Sequence, residues 1–252
     1  AVRVIHGDTD EMATSSITGG SRSVQIAGSA IVSASHDLVE QARQRAAELL
    51  EAAPEDVVLD TDGGRFHVAG VPAVAVSWGE VAAQDPEPLV GSSDFAAEGA
   101  TFPFGAHLAV VEVDTETGAV ALTRMVAVDD AGTLINPLIA DGQIHGGLAQ
   151  GAAQALFEQV GYDEDGNPQT ANLADYTVPA ASEVPSFERI EMTTPTPMNE
   201  LGAKGIGESG SIGSTPAVQN AVIDAVAHLG VRHIDMPCTP ERVWNAIQAA
   251  QA

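Results

Sequence analysis

Glycine in this chain is concentrated where helices should begin or meet, and that placement limits the fold more than any other feature. Gly19-Gly20 stands directly before a long stretch with few breakers; Gly142, Gly146, Gly147 and Gly151 interrupt a helical pattern. Gly205, Gly207, Gly210 and Gly213 crowd an irregular segment before a further helix. Glycine costs about 1 kcal/mol relative to alanine inside a helix. Such runs therefore persist where the backbone must turn sharply or be approached closely. With 252 residues, 44% of them hydrophobic, the chain suits one large domain or two modest ones around a real core.

Ten basic against 35 acidic side chains leave a net charge of −25, which argues against nucleic acid as a partner, since phosphates demand a basic stripe. The acidity reads as a solvated surface. A single cysteine, Cys238, excludes an internal disulfide, a four-cysteine zinc site and a self-contained iron–sulfur cluster. No apolar run reaches the roughly 18 residues of a membrane span, so the expectation is a soluble, cytoplasmic protein. Ala1 to His6 is neither an initiator Met nor a signal peptide; it reads as a strand already under way, as in a processed chain or fragment. Of the ten basic residues only Lys204 is a lysine.

Val2 to Ile5 alternates like a strand and enters the polar loop His6 to Met12, followed by Ser15 to Ser23. Val24 to Ala53, stopped by Pro54, has Ile31, Leu38, Ala42 and Leu49 at helical spacing and predicts one long helix. Short strands are expected around Val57–Leu59, Arg65–Val68 and Val74–Trp78. His107–Val113 and Val120–Val128 form a hairpin around Asp114–Gly118. Ile139–Gln159 is helical, Asp163–Asn167 a turn, and Ser182–Thr194 a strand region. Thr215-Pro216 caps a helix through Leu229, with Val218, Val222, Ala225, Val226 and Leu229 in its buried stripe and Gly230 as its stop. A last strand, Arg232–Met236, precedes a terminal helix opened by Thr239-Pro240-Glu241. The class is α+β (mixed α/β). Residues 1–85 form one lobe with the Gly-Gly-Ser-Arg-Ser loop and the long helix, 86–101 a connector, and 102–252 a C-terminal lobe.

Three constellations can carry chemistry. Gly19-Gly20-Ser21-Arg22-Ser23 offers free N–H groups, hydroxyls and a guanidinium before a helix, either a phosphate site or an ordinary capped start. Gln143, Gly147, Gln150, Gly151 and Gln154 share a helix face, which either admits something flat and polar or packs closely on another helix. Lys204-Gly-Ile-Gly-Glu-Ser-Gly formally contains G-x-G-x-x-G, but no buried strand precedes it, so a dinucleotide fold is not supported. There Glu208, between glycines, is a general base with a pKa tuned by burial, or simply a surface charge. His6, Asp8 and Asp10 are turn caps rather than metal ligands; no metal site is assigned to protein side chains.

The run Leu201 to Gly213 with Thr215-Pro-Ala-Val-Gln-Asn-Ala closely resembles the C-terminal signature of molybdenum hydroxylases: the molybdopterin-binding large subunits of the xanthine dehydrogenase, aldehyde oxidase and aerobic carbon-monoxide dehydrogenase superfamily. Ile5-His-Gly-Asp-Thr-Asp with Gly19–Ser23, Phe102-Pro-Phe-Gly-Ala-His, Ile135-Asn-Pro with Gln143–Gly151, and Asp235 to Trp244 resemble the family in the same order. The resemblance implies a C-terminal molybdopterin-binding domain of the molybdenum hydroxylase type, incomplete without its N-terminal partner segment.

By that resemblance Glu208 is the active-site base, taking a proton as water-derived oxygen attacks a substrate carbon. Gly19, Gly20, Ser21, Arg22 and Ser23 approach the cofactor, molybdopterin in its cytosine dinucleotide form with molybdenum; Gln143 and Gln150 lie beside the pterin. Gly205 and Gly207 shape the same loop, and Lys204 helps neutralise phosphate. The family's large subunit is about three times longer. The N-terminal part of the molybdenum subunit, on the same or a separate chain, an iron–sulfur subunit, an FAD subunit and a small-molecule substrate are the implied partners. Gly210-Ser211 follows Glu208-Ser209 where carbon-monoxide dehydrogenases tend to have Pro-His, which leans toward a hydroxylase of aldehydes or N-heterocycles. Glu200 stands where Pro is common. The alternatives are a carbon-monoxide dehydrogenase-type fragment and a non-catalytic remnant or assembly module without cofactor.

Overall fold

The computed structural model describes residues 2–11 and 17–252; Met12, Ser15 and Ser16 of the expected loops lie outside the described residues. The chain forms two compact units, Val24–Glu98 and a second built from Ala1–Ser23 and Gly99–Ala252.

In the first unit a π-helical turn, Val24–Gly28, leads into α1 (Ser29–Leu49). The expected helix is present but ends four residues early. Its buried stripe is narrower than the spacing implies: Ala42, Ala46 and Ala47 are buried, while Ile31 and Leu49 are exposed. Strands β1 (Val57–Asp60), β2 (Arg65–Val68) and β3 (Val71–Ser77) form an antiparallel meander. A short helix, α2 (Trp78–Ala83), was not foreseen, although Ser77 and Glu80 form the reciprocal capping box that starts it. Phe66 meets Trp78 edge-on, with centroids 4.8 Å apart, over a core of α1 alanines, Val57 and Val81.

The second unit is built on the expected hairpin. β4 (Phe104–Val113) pairs antiparallel with β5 (Val120–Asp130), and β6 (Glu188–Met192) adds in parallel beside β5. Helices α3 (Pro137–Leu156), α4 (Ser209–Val226) and α5 (Pro240–Gln251) share a core with this sheet, centred on Met125, Ile144, Leu148, Val218, Val222, Val243 and Ile247. Asn136 caps α3 through Ile139 N–H, and Thr239 caps α5 through Arg242 N–H; proline opens each helix, as expected for α5, whereas α3 starts two residues before the expected Ile139.

Three local expectations are corrected. α4 starts at Ser209, not Thr215, so Pro216 lies inside the helix. Internal proline costs about 3 kcal/mol and glycine about 1 kcal/mol, so Gly210, Gly213 and Pro216 hid this turn. Packing overrides propensity here: a Cβ on Gly210 would meet the Ile144 carbonyl at 2.7 Å, and one on Gly213 would meet the His107 ring at 2.4 Å. Val2–Ile5 forms no strand; Val2 and Val4 are exposed, with no neighbouring strand to pair. Arg232–Met236 is likewise irregular. Its Val231–Ile234 spacing anchors two side chains in the core, and Gln219 donates to the Ile234 carbonyl at 2.9 Å.

The residues 1–23 fall with the C-terminal unit rather than with the long helix, a division unlike the expected 1–85 lobe. Within that unit Ser21 hydrogen-bonds to Glu208.

The α3–α4 contact sets how closely the site's helices approach. A Cβ on Gly147 would stand 2.9 Å from Gly210 Cα and Ser211 N, both backbone atoms. Gly147→Val is therefore expected to destabilise by about 1–3 kcal/mol through overpacking. Gly146, with nothing within 4 Å of its Cβ position, is the control: Gly146→Val should stay within about 0.5 kcal/mol. Thermal unfolding of the two purified variants checks the difference.

Candidate functional site

The loop that follows β6 is tied to the end of β5 by backbone. Thr133 N–H donates to Gly202 O at 2.9 Å, and Lys204 N–H to Ala131 O at 2.8 Å. Gly202, at φ +64°, makes the turn between these bonds. The carbonyl of Glu208 then accepts from Ile212 N–H at 3.0 Å and from the Ser211 hydroxyl at 3.1 Å, so the residue's backbone is fixed as the N-cap of α4.

Glu208 is exposed, which corrects the expectation of a carboxylate tuned by burial within this chain. Its defining contact is Ser21, 187 residues away in sequence. The Ser21 hydroxyl donates to Glu208 Oε2 at 2.6 Å, and the same oxygen accepts from Glu208 N–H at 3.0 Å. Ser21 holds this place at φ +55°, next to Gly20 at φ +67°. Gly205 and Gly207 make room for it. A Cβ on Gly205 would lie 2.9 Å from Ser21 Cβ, and one on Gly207 would lie 3.3 Å from Ser21 Oγ. These two glycines therefore seat Ser21.

The α3 face divides in two. Gly147 and Gly151 are buried against α4, so helix packing accounts for them and nothing flat can reach their backbone. Gln154 turns its amide to the Thr215 hydroxyl, 3.2 Å away. Gln143 and Gln150 are exposed, and Gly146 between them leaves the helix backbone bare. Gln143 Oε1 lies 3.6 Å from the Cβ position of Gly207, which brings this edge beside the Glu208 loop. Arg22 and Ser23 are exposed, and the Cβ positions of Gly19 and Gly20 meet no backbone.

Lys204 is not turned toward a ligand. Its ammonium is 3.1 Å from Asp130 Oδ1 and 4.8 Å from the centroid of the Phe104 ring, with the side chain almost wholly buried. That corrects the expected phosphate contact: an ammonium committed to a buried carboxylate is an internal ion pair. Burial is the strongest single influence on Asp130 and raises its pKa. The Thr194 hydroxyl, Gly132 N–H and Lys204 outweigh it, so the carboxyl stays below its ordinary value of 3.8.

Sequence reasoning missed a second buried pair. His107 Nε2 lies 3.2 Å from both oxygens of Asp129, and both side chains are nearly inaccessible. The only signal was His107 in an otherwise apolar, alternating strand. Among the described residues no group of three or more His, Cys, Asp or Glu could hold a metal ion. No helix among them is long and apolar enough to cross a membrane.

The model of the molybdopterin cofactor-binding domain matches residues 1–185. The carbon monoxide dehydrogenase large chain of Hydrogenophaga pseudoflava is 40% identical over 98% of this chain, and 32% of that protein is covered. The nicotine 6-hydroxylase large subunit of Paenarthrobacter nicotinovorans is 37% identical over 98% of the chain, with 31% of that protein covered. Among solved structures, CO dehydrogenase from Oligotropha carboxidovorans gives a TM-score of 0.84 at 36% identity, covering 92% of this chain and 30% of that one. Quinoline 2-oxidoreductase from Pseudomonas putida 86 gives 0.75 at 40% identity, covering 84% and 28%. The chain belongs to the molybdopterin cofactor-binding domain family, in the part of it found in the large subunits of molybdenum hydroxylases. It spans about a third of the length of the curated relatives it matches.

Proposed function

We propose that this chain is a catalytic part of a molybdenum hydroxylase, which hydroxylates a carbon of an aldehyde or N-heterocycle with oxygen from water. The observation that carries this reading is the reciprocal Ser21–Glu208 bond. It joins the Gly-Gly-Ser-Arg-Ser loop to a carboxylate beside the exposed amide of Gln143.

The side chains present fit a pterin dinucleotide. The open backbone at Gly19 and Gly20 and the Arg22 guanidinium suit a pyrophosphate, favouring the cytosine dinucleotide form. Gln143 and Gln150 offer amides along a helix edge that Gly146 leaves bare, suited to the rim of a flat polar ring. The match to the molybdopterin cofactor-binding domain supports placing the metal on the organic cofactor. When bound, that cofactor supplies the acceptor for the substrate's electron pair and acidifies water. Glu208 then has one task, to take the proton at its carboxylate while Ser21 keeps the group in place. Electrons leave to iron–sulfur and FAD centres on partner chains, since one cysteine cannot ligate a cluster.

The outer face of the β4–β5–β6 sheet supports a further polypeptide as partner. Leu108 and Val110 on β4 and Ile190 on β6, the two strands that flank β5, are 55%, 42% and 54% exposed, an apolar surface of the kind that partners cover. The remainder of the molybdenum subunit, on the same or a separate chain, is the proposed occupant. The 252-residue chain alone should bind a hydrophobic dye strongly and self-associate; coexpression with that remainder should abolish both.

Similarity to carbon monoxide dehydrogenase large chains favours carbon monoxide as the second substrate reading. Gly210, packed on Ile144 O with no room for a side chain, supports the hydroxylase reading instead. The deciding experiment assays the assembled complex for molybdenum, then for dye reduction with an aldehyde, a quinoline-type heterocycle and carbon monoxide. Turnover of either of the first two supports the proposal. Carbon monoxide alone would move it to the second reading, and a complex without molybdenum would make the chain a non-catalytic module.

A further inference from the structure

We infer that Ser21 is a positioning residue that clips the carboxylate of Glu208 into its working orientation; this rests on Glu208 being the base. The argument starts from the backbone. Among the described residues only Ser21 and Glu51 combine a side chain with positive φ. A non-glycine residue pays for such a conformation and keeps it where neighbouring contacts enforce it. At Ser21 two such contacts lead to Glu208. Its hydroxyl donates to Glu208 Oε2 at 2.6 Å, within the range of a short charge-assisted bond, and accepts from Glu208 N–H at 3.0 Å.

One hydroxyl therefore fixes both the side chain and the backbone of the same residue. A glutamate side chain has three freely rotating bonds, and with only its N-cap backbone anchored the carboxylate would sweep a wide arc. The hydroxyl selects one position in that arc. The loop is cut to receive it, since Cβ atoms at Gly205 and Gly207 would fall 2.9 Å and 3.3 Å from Ser21 atoms. The spacing of those glycines is thus a consequence of the clip.

Other groups on these elements leave the clip unrivalled. Arg22 is exposed beside Ser21, Lys204 is held on Asp130, and Asp141 of α3 is paired with Arg189. Gln143, the α3 side chain at Gly207, is neutral. The bond from Ser21 is the contact that holds the Glu208 carboxylate.

Ser21→Gly is the suitable test, because glycine accepts φ +55° without strain and removes only the hydroxyl and Cβ. Ser21→Ala, which keeps the backbone cost, serves as the second variant. In the assembled complex both should retain molybdenum and thermal stability. Their kcat/KM should fall about tenfold to a hundredfold, the scale of a misplaced reacting group. The loss should fall on kcat rather than on KM, because the hydroxyl places the base and does not hold the substrate. In a Glu208→Gln background the same Ser21 change should cost no further activity, because the two act as one unit.

Wild-type kcat and KM in both Ser21 variants, with Glu208→Gln inactive, would overturn the clip and leave the base standing. So would loss of molybdenum from Ser21→Gly, or an equal further loss in the Glu208→Gln background, either of which makes Ser21 a cofactor contact. Full turnover by Glu208→Gln itself would remove the base, and the clip with it.

Discussion

Glu208→Gln is expected to lower turnover of the assembled complex by about 10²–10⁴-fold, the usual contribution of general acid–base catalysis. The substitution is conservative in every other respect. Gln has the same length and still presents an oxygen to the Ser21 hydroxyl, 2.6 Å from the carboxylate it replaces. The backbone is held independently, by Ile212 N–H at 3.0 Å and the Ser211 hydroxyl at 3.1 Å. Since Glu208 is exposed, its loss should change stability by no more than about 0.5 kcal/mol. Molybdenum content and thermal unfolding should match wild type while kcat collapses. That separation is the useful part, because an amide can neither accept the proton nor change its charge. Unchanged turnover at full molybdenum loading would reject the base and leave the cofactor assignment intact.

The sequence was most readable where chain chemistry is local. The Asp114–Gly118 hairpin, the Thr239-Pro240 helix start and the stop at Gly230 each depend on a few adjacent residues, and each is present. Legibility failed where distant packing decides. The first turn of α4 looked like a loop because Gly210, Gly213 and Pro216 are poor helix formers, and only contact with α3 and His107 makes it a helix. Val2–Ile5 and Arg232–Met236 show the converse, since alternation predicts a strand but neither segment joins either three-stranded sheet. In the site, Glu208 and Ser21 were each singled out, but a bond spanning 187 positions has no local signal. The Gln and Gly positions of α3 shared a stripe, yet packing turned Gly147 inward and left Gln143 exposed. Lys204 was conspicuous for the right reason, its uniqueness, and misassigned, because its partner Asp130 lies 74 positions earlier.

That partnership makes Lys204→Met the substitution with the largest expected effect on stability. Methionine keeps the length and apolar stem and can still pack on Phe104, so the loss is chiefly the charge. Asp130 would then be a buried carboxylate without its cation. Breaking a buried pair from one side costs about 3–5 kcal/mol, a large share of the total of about 5–15 kcal/mol for a folded domain. Removing both charges should recover much of this, so Lys204→Met with Asp130→Asn is expected to unfold at higher temperature than Lys204→Met alone. The pH dependence has a definite sign. Asp130 is held below its ordinary value of 3.8 in the folded protein. Its contribution is therefore fully present above the unfolded value and lost as pH falls through the folded one. Without Lys204 one of the influences holding that carboxyl down is gone, and burial, the largest one acting the other way, gains weight. Acid unfolding of Lys204→Met should begin at a higher pH than in wild type, followed by circular dichroism on the assembled protein. A variant as stable as wild type, with the same acid transition, would mean that the Asp130–Lys204 pair contributes nothing net to the fold.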